Sequence, residues 1–277
     1  MFAKINGCNL HYEVVGSGKP AIMCLHGAPG LSSGDETKGW VGPLVDDHTI
    51  VFFDHRGNGR SDDPPVETLT HTQMVDDIDG LRAHLGFEKV VIFGGSYGGF
   101  LGLEYALAYP DRLSHLILRG TGAWSGPPDE AYESAMARGV DVDPVKLKRL
   151  FDGHVTSNDD YQALFRAIYP LYSTKFDPAQ LDASMAGRYW HYQTHNKVYG
   201  IERHGFDVRD RLGEITTPTL VLAGRHDWIT PPRYSEEIAA GIPGAELAIY
   251  ETAGHSVHTD IGGPFFERVR QFIHQGA

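Results

Sequence analysis

Two cysteines in 277 residues, Cys8 and Cys24, are too few for a disulfide framework. Each lies in a stretch that fits a half-buried strand, so both read as small hydrophobes in a chain of a reducing compartment. Positive charge is also scarce. Against 36 Asp and Glu stand 24 Lys and Arg, a formal net charge of -12, and no Lys/Arg run offsets it locally. Such a surface repels phosphate backbones, so nucleic acid is not an expected partner. No apolar run approaches the ~20 residues of a membrane span, and the start, Met1-Phe-Ala-Lys-Ile-Asn-Gly-Cys8, lacks a basic segment leading into an apolar stretch. The expectation is a soluble, cytoplasmic protein with no membrane partner. Walker-type lysine spacing, G-x-G-x-x-G and H-E-x-x-H are missing too, so neither a nucleotide, a metal nor another cofactor is expected.

What is present is an ordinary globular composition, 41% hydrophobic and 22% charged, with 33 Gly and 16 Pro spread as punctuation and no internal repeat. Short apolar, β-branched or aromatic runs recur at 21–25, 49–53, 90–93, 116–118, 219–222 and 247–250. Being apolar on both faces, they suit a mostly parallel sheet covered by helices. Between them, His71–Leu85 places Met74, Ile78, Leu81 and Leu85 on one helical face, and an Ala/Leu-rich segment, 98–109, stops at Pro110. A last helix, 264–274, returns to the same sheet. The pattern predicts an α/β class. From about 123 to 212 the apolar runs give way to segments rich in Tyr, Arg, Asp and His. This stretch predicts a helical cap after the sixth strand, over the edge where open sheets bind ligands. The division is 1–122 and 213–277 for the core, 123–212 for the cap.

The strongest chemical signal is Val90-Val-Ile-Phe-Gly-Gly-Ser-Tyr-Gly-Gly99, a strand turning through Gly94-x-Ser96-x-Gly98 into a helix, the pattern of a nucleophile elbow. A serine at such a turn needs a base, and the base needs a carboxylate to fix its tautomer. Asp227 follows the strand at 219–222 and His255 follows that at 247–250, giving the order Ser, acid, His. The loop after the strand at 116–118 reads Arg119-Gly-Thr-Gly-Ala123 and offers no rival acid, while His258 and His226 are competing histidines that the spacing disfavours. The oxyanion hole then takes the N–H of Tyr97, after the serine, and that of Ala28, in the turn His26-Gly-Ala-Pro-Gly30. The glycine-rich stretch Asp54-His-Arg-Gly-Asn-Gly-Arg-Ser61 reads as a structural turn.

These motifs, with Gly224-Arg-His-Asp-Trp-Ile-Thr-Pro231 and Gly254-His-Ser256, resemble the α/β-hydrolase fold. Within it they resemble the proline iminopeptidase-like group that includes the tricorn-interacting aminopeptidase. The resemblance implies the triad Ser96, Asp227, His255 and a cap over it. In that group glutamates hold the substrate's α-ammonium, one in an N-G-P-x-E-F-like cap segment and, in the tricorn-interacting type, another directly after the triad acid. Here the matching cap stretch, 197–206, lacks that motif, Trp228 follows Asp227, and Glu202, a candidate substitute, has Arg203 beside it. Ala28 stands where the group usually has glycine. The expectation is therefore an uncharged acyl substrate, an ester or lactone, in a pocket lined by Trp124, Tyr189, Trp190, Tyr192 and Trp228. An aminopeptidase is the alternative, and a ligand receptor or cofactor-free lyase or oxygenase a more distant one. Apolar cap residues would serve a pocket mouth or a homodimer interface.

Overall fold

The computed structural model describes residues 1–127 and 129–275. Eight strands form one sheet: β1 (Phe2–Ile5), β2 (Cys8–Val15), β3 (Ile22–Leu25), β4 (Ile50–Phe53), β5 (Val90–Gly95), β6 (Leu113–Arg119), β7 (Thr219–Gly224) and β8 (Glu246–Tyr250), in the spatial order β1-β2-β4-β3-β5-β6-β7-β8. Pairing from β4 through β3 to β8 is parallel, as the two-sided apolar runs require. The first two strands form an antiparallel hairpin at one edge, joined to β4. Apolar runs did not reveal it because its residues alternate. Its turn, Asn6-Gly7, has φ of 47° and 81°, the hairpin geometry that Asn-Gly favours.

Helices cover both faces. On one, Met74, Ile78 and Leu81 of α2 (His71–His84) and Leu101 and Tyr105 of α3 (Tyr97–Ala108) bury against Met23, Leu25, Val51 and Ile92. On the other, Trp40 and Val41 of α1 (Gly34–Val41) join Phe265, Val269 and Phe272 of α11 (Gly263–Gln275) over Ile22, Phe52, Phe93 and Ile117. Each such Leu or Phe contributes about 1.5–3 kcal/mol by leaving water. Between β6 and β7 lie α4 (Glu130–Ala137), α5 (Pro144–Asp152), α6 (Asn158–Ile168), α7 (Leu181–Met185) and α8 (Tyr192–Gly200), with a separate apolar cluster around Leu147, Phe151, Tyr161 and Leu164. The core closes with α9 (Pro232–Gly241) and α10 (Val257–Ile261). Side-chain caps fix the starts of two of these cap helices: Asp143 accepts from the N–H of Lys146 at α5 and Ser157 from that of Asp160 at α6. No helix among the described residues is long and apolar enough to cross a membrane.

The glycine-rich stretch after β4 is a brace. Buried Asp54 accepts from the N–H of Gly34 at 2.6 Å, the N–H of Arg60 at 2.8 Å and Arg60 Nε at 3.1 Å. Burial alone would raise this carboxyl, but the Arg60 and Gly34 hydrogen bonds outweigh it and hold it below its ordinary value. Asn58 Oδ1 takes the N–H of Gly30 at 2.6 Å, tying the brace to the turn after β3. Asp54→Ala strands these donors in a dry site and should cost about 3 kcal/mol of folding free energy. Urea unfolding checks this; a midpoint equal to wild type would show that the brace carries no stability.

Candidate active site

The end of β5 and the start of α3 meet at Ser96, whose φ of 55° and ψ of -124° lie in a region a side chain rarely occupies. Three hydrogen bonds enforce it. Ser96 N–H donates to Arg119 O at 2.9 Å, and Ser96 O accepts from the N–H of Gly99 and from Thr121 Oγ1, both at 2.8 Å. Room for the turn comes from Gly98, where an added Cβ would lie 2.1 Å from Leu25 O.

Opposite, the turn after β3 presents Ala28, whose φ of 35° is also left-handed. Its O accepts from the N–H groups of Leu31 and Ser32, Pro29 O accepts from Tyr161 Oη at 3.0 Å, and Gly30 O accepts from the His191 N–H at 2.6 Å. His26, beneath the turn, bridges it to the brace. Its Nε2 faces the His55 N–H at 3.1 Å and must accept, so Nδ1 carries the proton and donates to Gly27 O at 3.0 Å. The N–H groups of Ala28 and Tyr97 have no acceptor among the described residues, which leaves both available to an oxyanion.

Asp227 and His255 come from the loops after β7 and β8. Asp227 Oδ1 accepts from the N–H of Ile229 at 3.0 Å and of Thr230 at 2.9 Å, and Oδ2 accepts from Thr230 Oγ1 at 2.8 Å and His255 Nδ1 at 2.7 Å. Burial pushes this carboxyl up, yet the His255 ring and the Thr230 donors prevail and hold it below its ordinary value, so it stays ionised. Gly120, with φ of 53°, passes so close that an added Cβ would lie 3.2 Å from Asp227 Oδ2 and from His255 Nδ1. Arg119 Nη1 donates to His255 O at 2.6 Å, and its guanidinium lies 4.4 Å over the Trp40 ring. Burial pushes this arginine down to about 10, still charged at neutral pH. Asp260 joins cap to core: its Oδ2 takes the N–H groups of Gly254 and Thr174, while the Ser256 N–H donates to Tyr172 O at 2.7 Å.

Two cavities open on Ser96. The larger, about 210 Å³, also touches His255, Ala28, Glu36, Arg119, Tyr172 and Arg188. The smaller, about 60 Å³, touches Tyr97, Phe100, Tyr199, Arg203 and Tyr234. The six residues expected from the sequence to contact substrate line neither. Trp228 fills the cap's own core against Phe151 and Tyr172, and Trp190 packs on Tyr161 and Phe165. Trp124 donates to Glu237 and lies under Arg209, Tyr189 lies under Arg60, and Tyr192 lines a groove with Trp190 and Asp63. Glu202 pairs with Lys197 Nζ at 2.7 Å. Trp228 and Trp190 go where a small helical cap needs volume, and tyrosines after α6 and on α8 face the cavities instead. Sequence reading missed Thr230, Glu36, Arg188 and Tyr172. Arg119 was visible as the one charge ending an apolar strand.

An eight-stranded, mostly parallel sheet with a strained serine at the β5–α3 turn and a buried His–Asp pair defines a hydrolase class. The α/beta hydrolase fold family matches residues 20–260, and the chain belongs to that family, in its proline iminopeptidase-like group. It is 36% identical over 98% of each chain to proline iminopeptidase PfmaB of Pestalotiopsis fici, and 30% identical to a putative carbamate hydrolase, RutD, of Rhizobium rhizogenes over 95% of this chain and 97% of that one. Its fold superposes on the enol-lactonase of Burkholderia xenovorans with a TM-score of 0.81 at 23% identity, covering 99% and 100% of the two chains. The protein is a hydrolase of this fold.

Buried histidines make the site acid-sensitive. His195, on α8, stacks at 4.3 Å on Tyr161 and at 4.5 Å on Tyr199, and burial pushes it down to about 4. Burial also lowers His26, His55 and His258. Unfolded, these rings take a proton near pH 6.5, while the folded forms resist it. Between those values the unfolded state binds more protons, so stability falls as pH drops from 7 toward 4. His195→Phe should flatten this fall, measured as the urea midpoint at pH 7 and pH 5. Identical slopes in both proteins would contradict a neutral buried His195.

Proposed function

We propose that the protein is a serine hydrolase cleaving a carboxylic ester, lactone or similar small acyl substrate through an acyl-enzyme. The observation that carries this reading is the strained Ser96 on one cavity wall with His255, whose Nδ1 is held 2.7 Å from Asp227. In this mechanism His255 takes the Ser96 proton through Nε2 as Oγ attacks the carbonyl carbon. Asp227 keeps the proton on Nδ1 and stabilises the imidazolium. The N–H groups of Ala28 and Tyr97 receive the oxyanion, and because their backbones are fixed before substrate arrives, no reorganisation is charged to the reaction. His255 then protonates the leaving group and activates the water that frees the acyl chain. Support comes also from relatives named a proline iminopeptidase and a putative carbamate hydrolase, whose named reactions are both acyl transfers to water.

One observation favours a second reading, an aminopeptidase. Glu36 lines the larger cavity, where its carboxylate could meet a free α-ammonium, and PfmaB is named a proline iminopeptidase. A panel separates the two: a proline arylamide with a free amine, its N-acetyl twin, and a short-chain aryl ester. Ester turnover without an amine requirement is expected, falling by at least about 10³-fold in Ser96→Ala, whose urea midpoint should not drop. Hydrolysis of the free-amine arylamide alone would make the protein an aminopeptidase, and near-wild-type rates in Ser96→Ala would remove the serine from the mechanism.

A further inference from the structure

In a chain of net charge -12, arginines have carboxylates within easy reach. Most use them: Arg56 pairs with Asp77, Arg60 with Asp54, Arg82 with Asp79 and Arg270 with Asp47. Among the described residues, three arginines that are buried or half-buried have no carboxylate at ion-pair distance. They are Arg119, Arg188 and Arg203, and all three line the two cavities that open on Ser96. A cation withdrawn from water without a counter-charge is costly, and an acidic protein that leaves three such cations around one serine has a place for a negative charge that it does not itself supply.

Their geometries differ. Arg119 is spent in part on His255 O and the Trp40 face, but its Nε is buried without a partner in the wall of the larger cavity. Arg203 lies 4.9 Å over the Tyr199 ring, its Nε also unpartnered, in the wall of the smaller one. Arg188, from the loop after α7, donates Nε to Ser184 O at 2.7 Å and stacks over Phe165 at 5.5 Å and Tyr169 at 5.1 Å. That fixes the guanidinium plane while leaving both Nη atoms without acceptors among the described residues. This is the edge that pairs bidentately with a carboxylate. Arg188 also lines a groove shared with Ser32, Asp35 and Glu36, so it stands where the larger cavity reaches the surface. Glu36 in the same wall is not within ion-pair distance of Arg119 or Arg188, and the Ser32 hydroxyl donates to it.

Resting on the acyl-hydrolase reading above, we propose that the larger cavity selects an acyl substrate carrying a second, free carboxylate. Arg188 is the specificity-determining residue that receives it, and Arg119 sets the positive field behind. The substrate is a half-ester of a dicarboxylic acid or a lactone acid, its reacting carbonyl at Ser96 and its carboxylate at the cavity mouth. The larger cavity is lined by one carboxylate, Glu36, and two arginines, a balance that favours an anion over an ammonium, while Glu130 in the smaller cavity is paired with Arg233.

The test compares two aryl esters on the same acyl chain, 4-nitrophenyl hydrogen glutarate and the 4-nitrophenyl ester of monomethyl glutarate, in which a methyl group caps the free carboxylate. Wild type should prefer the acid by about 50-fold in kcat/KM, as a bidentate charged pair in a half-buried site implies, mainly through KM, and lose part of the preference at high salt. Arg188→Met should bring the ratio near one and Arg188→Lys restore part of it. A ratio near one in wild type, a preference for the neutral ester, or a preference that survives Arg188→Met would overturn the proposal. Glutarate binding to Ser96→Ala by calorimetry gives a readout free of turnover, and its loss in the Arg188→Met double variant is expected. If glutarate binds through Arg188 but neither ester is hydrolysed, the acyl-hydrolase reading fails and the carboxylate site stands. If the neutral ester is hydrolysed and glutarate does not bind, the reverse holds.

Discussion

The backbone at Ser96 is held at positive φ between the last residue of a buried strand and the first turn of a helix, and the arrangement of the site follows from that one constraint. A non-glycine residue in such a conformation costs about 1–3 kcal/mol, so it persists only where neighbours over-determine it. Here the strand ladder, the Thr121 hydroxyl and the close passage of Gly98 under Leu25 do so. The reward is chemical. The side chain stands at the wall of two cavities, and the Tyr97 N–H at the head of α3, next in the chain, has no acceptor among the described residues. Ala28 carries a similar strain on the facing turn, and it too is pinned from several sides, by Asn58 at Gly30, Tyr161 at Pro29 and His191 at Gly30.

Around that centre, the polar residues of the core form continuous ties between loops that are far apart in sequence. His26 and Asp54 connect the turn after β3 to the brace after β4. Arg119 connects the end of β6 to the backbone of His255, and Asp260 connects the His255 loop to the cap at Ser173 and Thr174. Each is buried, so each would be costly if half satisfied; satisfied, they fix the loops with a rigidity that apolar contacts alone do not give. Arg119 is satisfied only in part, and with Arg188 and Arg203 it is a cavity-wall cation whose pairing among the described residues is incomplete.

How far the sequence reveals this depends on the kind of signal. The parallel strands were legible because burial on both faces leaves an unbroken apolar run, and Gly94-x-Ser96-x-Gly98 because only small neighbours permit the turn. That Asp227 and His255 lie in the loops after neighbouring strands was legible from strand order, and their side chains meet at 2.7 Å. The edge hairpin was missed because an alternating strand resembles any polar stretch, although Asn6-Gly7 marked its turn. The cap defeated residue-level reading. An aromatic-rich cap suggests pocket walls, but a thin helical layer also needs large rings to fill itself: Trp190 packs on that filling and Trp228 lies wholly inside it, while Trp124 sits apart against Glu237. Whether a Tyr or an Arg on such helices faces the cavity depends on how the helices cross, and that is written in no local pattern.

In the proposed mechanism Ser96 carries the acyl group between two half-reactions. Rapid mixing of the protein with a 4-nitrophenyl ester, followed by acid quench and mass analysis, tests it most directly. A burst of nitrophenol matched in amount by an acyl adduct on the peptide bearing Ser96 is the predicted result. Turnover with deacylation slow enough to accumulate an adduct, yet with the acyl group on any other residue, would contradict it.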